Sequence, residues 1–292
     1  LVFAAIPVAA FFSFYFQPLP ILMQVRILGS GGWEGVPSPF CGCRVCKTAV
    51  KNQKGKDFRF RPCLQVVAPN GTFLIECPPD IRVISQKFSL PAIKDYFISH
   101  WHFDHAYGLM ELHAWSQLKQ RLKVFCSQKT KEWLAGAFGH IAMDVLVLKP
   151  FKAMDIYGAR VTPFPVYHMR SQDEGVPEGK LENTFGFLIE SRGKKLAYTA
   201  DFYCLPKKSL ELIKGSDVLV ADGTCLLKIP KEYEYDPDHL HGKAILDKAV
   251  RIGAKQTFFH SINHLHGKTH SELAKALPKG MAPTWDGQVI EL

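Results

Sequence analysis

The chain has 292 residues, 47% hydrophobic and 22% charged, enough to bury a full-sized core and too mixed for a disordered or collagen-like polymer. Lys and Arg number 36 against 27 Asp and Glu, a formal charge of +9 that favours phosphate-bearing or other anionic partners without naming one. The 12 His bunch with Asp and Cys at tight spacings, which points to a metal-dependent enzyme.

In chain order, Leu1 to Val25 carry no charge, and Leu1 to Phe16 is almost wholly apolar, like a secretory core or a short anchor. No basic run precedes it, and Pro7, Pro18 and Pro20 would break a spanning helix. Residues 1–22 are therefore set apart as an apolar extension, open between an anchor, a non-native start and a segment packed on the body. The folded domain is placed at 23–292. Met23 to Leu28 followed by Gly29-Ser30-Gly31-Gly32 reads as a first strand feeding a glycine turn. That turn lacks the full GxGxxG run and leads to Trp33-Glu34-Gly35-Val36-Pro37 rather than to a helix, so it reads as backbone approaching a site rim.

Short runs rich in Val, Ile, Phe and Leu predict strands at Val25–Leu28, Leu64–Val67, Thr72–Glu76, Asp95–Ser99, Lys123–Cys126 and Arg160–Pro165. Five more follow at Thr184–Glu190, Lys195–Thr199, Asp217–Asp222, Gln256–Phe259 and Gly287–Glu291. Helices are predicted at His105–Gln120, Lys129–Leu134, Ser209–Ile213, Gly242–Ile252 and Ser271–Leu277. Asn70-Gly71 marks a tight hairpin. Arg59 and Arg61 suggest a basic rim, a solvated pair being the plainer alternative. Residues 171–182 read as a loop that could border a pocket. Strand-then-helix alternation without a linker or repeat predicts a layered α/β domain with helices on the outer faces of its sheets.

His100-Trp101-His102-Phe103-Asp104-His105 is the strongest chemical signal. It follows a strand-like run and precedes an amphipathic pattern, so it lies in a strand-to-helix turn. In an extended stretch His100 and His102 share one side, and as the chain curls Asp104 and His105 can face a second point nearby. Imidazole and carboxylate suit divalent zinc, manganese or iron; the plain alternative is a solvated turn with Asp104 as a cap. His168, Asp201 and His260 each end an apolar run, the position from which strand ends supply ligands.

With these residues the chain resembles the metallo-β-lactamase-fold hydrolases over about residues 23–292. Within them it is most similar to the PhnP-like phosphodiesterases, in Gly29 to Gly32 with Gly35-Val36-Pro37, Cys41-Gly42-Cys43-Arg44-Val45-Cys46, Ser99 to Leu109, Ala200-Asp201 with Leu205-Pro206, and Trp285-Asp286-Gly287. The resemblance implies a four-layer αβ/βα sandwich. It implies two divalent ions, zinc or manganese: His100, His102 and His168 holding one, Asp104, His105 and His260 the other, and Asp201 bridging both. Such a pair would activate a bridging water for in-line attack on phosphorus. Two departures stand out: Glu76 sits where the superfamily commonly has Asp, and the spacing after His260 differs from the PhnP pattern by one residue.

Cys41, Cys43 and Cys46, three thiols in six residues, fit a Cys₃His zinc clamp better than a disulfide. The resemblance points to His264 as the fourth ligand of this structural zinc, with His266 a close competitor. Cys63, Cys77, Cys126, Cys204 and Cys225 read as core fillers, and unpaired thiols favour a cytoplasmic location. The resemblance also places His239 as a pocket residue that protonates the leaving group alongside Asp201; His241 or a helix cap is the alternative. His113 is expected to pack rather than react.

The expected activity is metal-dependent hydrolysis of phosphodiesters, with small cyclic phosphates the substrates that the resemblance implies. The alternatives are an RNA 3′-end nuclease on the same fold, against which no long basic arm is found, and a non-catalytic relative like the PQQ-pathway protein. The expected partner is a small phosphodiester substrate, with nucleic acid a weaker candidate, a membrane not expected and a homodimer left open.

Overall fold

The computed structural model describes residues 23–118, 121–168, 184–227 and 239–292. The apolar extension 1–22 and the loop 171–182 lie outside them. The first sheet contains β1 (Gln24–Gly29), β2 (Cys63–Ala68), β3 (Gly71–Ile75), β4 (Asp95–Phe97), β5 (Leu122–Cys126), β6 (Met143–Val147) and β14 (Val289–Glu291), in the order β14-β1-β2-β3-β4-β5-β6. The second contains β7 (Met154–Ile156), β8 (Ala159–Val166), β9 (Thr184–Ser191), β10 (Lys194–Tyr198), β11 (Val218–Asp222), β12 (Gln256–His260) and β13 (Met281–Pro283), in the order β13-β12-β11-β10-β9-β8-β7.

Three apolar layers hold these sheets and their helices together. Between the sheets pack Val25, Ile27, Phe73, Phe97, Phe185, Phe187 and Tyr198, all within 1% of complete burial; Phe97 stacks on Phe125 with ring centroids 4.6 Å apart. Outside the first sheet, Leu74, Tyr96, Val124, Leu134 and Phe138 form a second layer. Outside the second, Leu219, Ala221, Ile245, Ala249 and Leu273 form a third. Helix, sheet, sheet and helix thus make the four-layer sandwich. β3 to β6 pair in parallel, as do β10 to β13. Each parallel strand needs a crossover connection, and the helices supply it.

Local chemistry fixes the details. Ala68 pairs with Gly71, so Pro69 and Asn70 form the turn and the hairpin lies one residue earlier than Asn70-Gly71 suggests. Gly71 is needed for space, since a Cβ there would lie 2.5 Å from the Tyr157 ring. Ser127 Oγ accepts from Thr130 N at 3.1 Å and caps the helix Gln128–Phe138. Thr269 and Glu272 form a reciprocal capping box on His270–Ala276.

The single helix predicted over His105–Gln120 is instead broken into Phe103–Ala106, a 3₁₀ segment Tyr107–Leu112, and His113–Gln117; residues 119–120 lie outside the described part. The break follows from Gly108, whose N–H donates to Cys77 O at 2.7 Å. A Cβ on Gly108 would sit 2.0 Å from Pro78 O, so the chain bends to dock on the loop after β3. The helices Arg44–Lys51 and Ile81–Lys87 and the strands β6, β7 and β13 escaped the sequence pattern; β6 and β7 are largely unburied and so lack a continuous buried apolar run. His113, expected to pack, is exposed, its ring 5.2 Å from that of His140. Among the described residues no helix is long and apolar enough to cross a membrane.

Candidate metal centre

The ends of β4, β8 and β10 open onto one cleft between the two sheets. After β4 the chain leaves extended geometry at His102 (φ −59°, ψ 156°) and enters the turn Phe103–Ala106, carrying His100, His102, Asp104 and His105 inward. β8 delivers His168 two residues past its end, and Asp201 follows β10 through Ala200, which adopts φ +53°.

Two donor groups share His100. In one, His100, His102 and His168 bring their nitrogens together; in the other, His100 and His105 meet Asp201, each set within 4.8 Å. His102 Nδ1 and His168 Nε2 are 3.2 Å apart. Asp201 Oδ2 lies 3.2 Å from His105 Nε2 and 4.0 Å from His168 Nε2, so one carboxylate oxygen reaches toward both groups. Asp104 Oδ2 is 3.3 Å from His105 Nε2.

The surroundings prepare these side chains as ligands. Burial pushes His102 down to about 4, with His168 and His105 adding to the effect, and burial likewise holds His100 well below the ordinary range, so both are neutral donors at pH 7. For His105 burial also opposes charge, but Asp104, Asp201 and Glu76 override it and raise the group well above its usual value. Burial would protonate Asp201, yet His105 outweighs it and holds the carboxylate well below the usual range. Cations belong in such a place. His100 Nε2 and Asp104 Oδ1 are fully buried with no hydrogen-bond partner among the described residues, and orphaned acceptors in an imidazole and carboxylate pocket fit divalent ions.

A further layer orients the rings. Ser99 Oγ is 2.8 Å from His100 Nδ1. Glu76, wholly buried and at φ +66°, places Oε1 3.3 Å from His105 Nδ1 and is itself held by Tyr198 Oη–H at 3.2 Å and Ser99 N–H at 3.2 Å. The longer side chain at 76 therefore still comes within ion-pair distance of the His105 imidazole.

His239 joins His168 and Asp201 in a third group. Its Nδ1 donates to Asp222 Oδ2 at 2.7 Å, and its Nε2 is 3.9 Å from Asp201 Oδ2. Asp222 escaped the sequence reading, although it ends the apolar run Val218-Leu219-Val220-Ala221 just as Asp201 ends one. A cleft of about 290 Å³ opens over these groups, walled by Trp33, His102, His168, Asp201, Thr224 and His239.

His260 stands apart. Its Nε2 donates to Gly29 O at 3.0 Å and its Nδ1 is 3.1 Å from Ser261 Oγ, so it is not brought to the donor groups of Asp104 and His105. The rim expectation is corrected for Arg59. Arg59 is only 4% exposed and donates to Ser30 Oγ at 2.9 Å and Thr284 O at 2.6 Å, while Arg61 pairs with Asp80 at 3.1 Å. Arg59 is occupied inside the framework, whereas Arg61 is partly exposed and donates through Nε to the carbonyl of Trp33, a residue of the cleft wall, at 2.7 Å. The glycine turn does approach the site, for a Cβ on Gly32 would lie 3.0 Å from Ser261 O.

A second donor set lies beside the first. Cys41, Cys43, Cys46 and His264 bring their ligand atoms within 4.8 Å, with His264 Nδ1 3.5 Å from Cys41 Sγ and 3.6 Å from Cys43 Sγ. His266 faces elsewhere, its Nε2 3.4 Å from Gly223 O. Burial would raise the Cys43 thiol, but the Cys46 N–H, His264 and Cys41 lower it to about 7; burial pushes Cys46 up to about 12. The eight cysteines are all free. Cys63, Cys77, Cys126 and Cys225 are buried, whereas Cys204 is only partly so, because its backbone bridges Tyr167 at the edge of the second sheet.

Known proteins share this arrangement of chain. The model of the beta-lactamase superfamily domain matches residues 72–261. An octanoyltransferase of Porphyromonas gingivalis is 24% identical over 91% of this chain, which spans about half of that protein's length (51%). A coenzyme PQQ synthesis protein B of a Methylobacterium species is 31% identical, covering 70% of this chain and 74% of its own. Among solved structures, a diphosphatase from the PhnP family superposes with a TM-score of 0.77 at 27% identity, over 93% of this chain and 98% of its own. Zinc-bound PqqB from Methylobacterium extorquens shares the fold, with a TM-score of 0.78 at 22% identity over 92% and 100% of the two chains.

Proposed function

The chain belongs to the beta-lactamase superfamily, and on that footing we propose that it is a metal-dependent hydrolase of small phosphodiesters, cyclic phosphates foremost. The carrying observation is the pair of orphaned acceptors, His100 Nε2 and Asp104 Oδ1, beneath an open cleft lined by imidazoles and carboxylates. His100, His102 and His168 would hold one cation, Asp104 and His105 a second, and Asp201 would touch both. Paired cations of this kind lower the pKa of a shared water and neutralise charge on phosphoryl oxygens.

The protein's own side chains do the rest. Ser99 holds the ring of His100, and Glu76 sets its carboxylate beside that of His105. Asp222 accepts a hydrogen bond from Nδ1 of His239 and aims Nε2 at the cleft, where the imidazolium form can hand its Nε2 proton to the leaving oxygen. Trp33, 54% exposed, forms a wall against which a planar leaving group can lie. The likeness to a PhnP-family diphosphatase supports chemistry at phosphorus. Cys41, Cys43, Cys46 and His264 would hold a structural zinc. Free thiols beside such a clamp suit a reducing, cytoplasmic setting.

A second reading, a biosynthetic role without phosphodiester cleavage, is supported by the resemblance to coenzyme PQQ synthesis protein B. Metal-loaded protein assayed on bis(p-nitrophenyl) phosphate, 2′,3′-cyclic nucleotides, precursor tRNA and a thioester separates the readings. Turnover of the first two is expected. Inertness on every phosphodiester with ions bound would favour the second reading.

A further inference from the structure

β12 ends at His260, paired in parallel with Asp222, and the chain then turns at Ser261, which adopts φ +57°. The His260 ring points between the sheets, its centroid 5.7 Å from that of Tyr198. Both of its nitrogens are engaged: Nε2 must carry the proton it donates to Gly29 O, and Nδ1 faces Ser261 Oγ. A neutral imidazole so placed keeps a single lone pair, on Nδ1, and that lone pair faces the Ser261 hydroxyl rather than the His/Asp donor groups. Ser261 takes the direction His260 leaves, with Oγ 3.5 Å from Asp201 Oδ1. The one-residue change of spacing before His264 has its physical counterpart here, because the side chain turned toward Asp201 is a hydroxyl.

The two cation positions are therefore unlike. One is offered His100, His102, His168 and Asp201; the other is offered His105, Asp104 and Asp201, with the Ser261 hydroxyl nearby. Nitrogen-rich sets suit zinc, and oxygen-rich sets suit manganese or magnesium. Resting on the hydrolase reading, we propose that Ser261 makes the second position a weak, oxygen-rich site that fills reversibly with a hard divalent ion, while the three-histidine position binds firmly. The second ion's availability then sets how much of the protein is fully loaded.

Manganese binding to chelator-stripped protein tests this, after one equivalent of zinc has been returned to the thiol clamp, which manganese disfavours. Free Mn²⁺ is read by its paramagnetic resonance signal, so no turnover is needed. Wild type is expected to bind one ion firmly and a second on the order of tenfold or more weakly. Ser261→His should bring the second affinity toward the first, histidine being tolerated at positive φ. His260→Gln, which keeps a donor for Gly29 O, should bind the same two ions as wild type. Two equal sites in wild type, an unchanged second affinity in Ser261→His, or an ion lost in a folded His260→Gln would each overturn the proposal. If His260→Gln does not fold, Ser261→His decides. Failure to bind any Mn²⁺ would instead overturn the hydrolase reading, and this inference with it.

Discussion

Asp222 Oδ2 lies 2.7 Å from Nδ1 of His239, and this contact directs the other ring nitrogen at the cleft. Asp222 also accepts from Thr224 N at 2.8 Å, so its carboxylate is fixed before any ligand arrives. Asp222→Asn should lower kcat on substrates with poor leaving groups by about 10- to 100-fold, with KM little changed. The loss on bis(p-nitrophenyl) phosphate should be smaller, since p-nitrophenolate departs without a proton. His239→Ala should show the same leaving-group pattern more strongly; equal losses on both substrates would remove its assignment as the acid.

Asp201→Ala removes the carboxylate that approaches His105 and His168 together. Both ions and nearly all turnover should be lost, on the order of 10³-fold or more. Elemental analysis of protein purified without added metal checks the first part, and a retained circular dichroism spectrum excludes unfolding as the cause.

Cys43→Ser should cost one zinc per chain and lower Tm by several degrees while sparing the His/Asp centre. Zinc uptake also has a proton signature. Cys46 is pushed up to about 12 and Cys43 lies near 7, so at pH 7 binding must expel the Cys46 proton and part of the Cys43 proton, besides any that Cys41 holds. Calorimetry in buffers of different ionisation enthalpy should detect this release, which should shrink in Cys46→Ser.

Glu272 is lowered from 4.5 to about 2 by Arg44, then by Thr269. The folded value is depressed, so the contribution is complete above about pH 4.5 and fades as pH falls toward 2. Wild type should therefore unfold at a higher temperature than Glu272→Gln at pH 6, and the gap should close by pH 2. A gap independent of pH would show that the carboxylate charge is irrelevant.

Arg59→Ala should be costly for stability rather than for KM. The guanidinium is buried, and its removal takes a donor from Thr284 O, leaves His270 Nδ1 without its guanidinium contact and removes the positive charge beside the buried Asp286. A loss of about 3–5 kcal/mol is expected from such an uncompensated interior, read by urea unfolding. A specific rise in KM without lost stability would return Arg59 to the substrate rim.

The layered architecture was legible because most of its strands are buried apolar runs, and the ligand-rich turn because four donors in six residues have few other uses. Elements without a buried apolar run were not legible: β6, β7 and β13 are mostly incompletely buried, and the helix Arg44–Lys51 begins inside the cysteine cluster. At the centre, residue types could be read but directions could not. His260 and Ser261 are neighbours, and only the positive φ at Ser261 decides which one turns toward Asp201. Arg59 misled for a related reason, since a lone arginine in sequence looks solvated until its hydrogen-bond partners, 225 residues away for Thr284, are brought beside it.

Each sheet contributes donors that the other cannot replace: His100, His102 and His105 follow β4, while His168 and Asp201 follow β8 and β10. Ion capture therefore reports on docking of the two halves, and any event that parts them must also release the cargo. Free metal in the surrounding solution should slow that separation by mass action, so proteolytic lifetime should lengthen with metal supply.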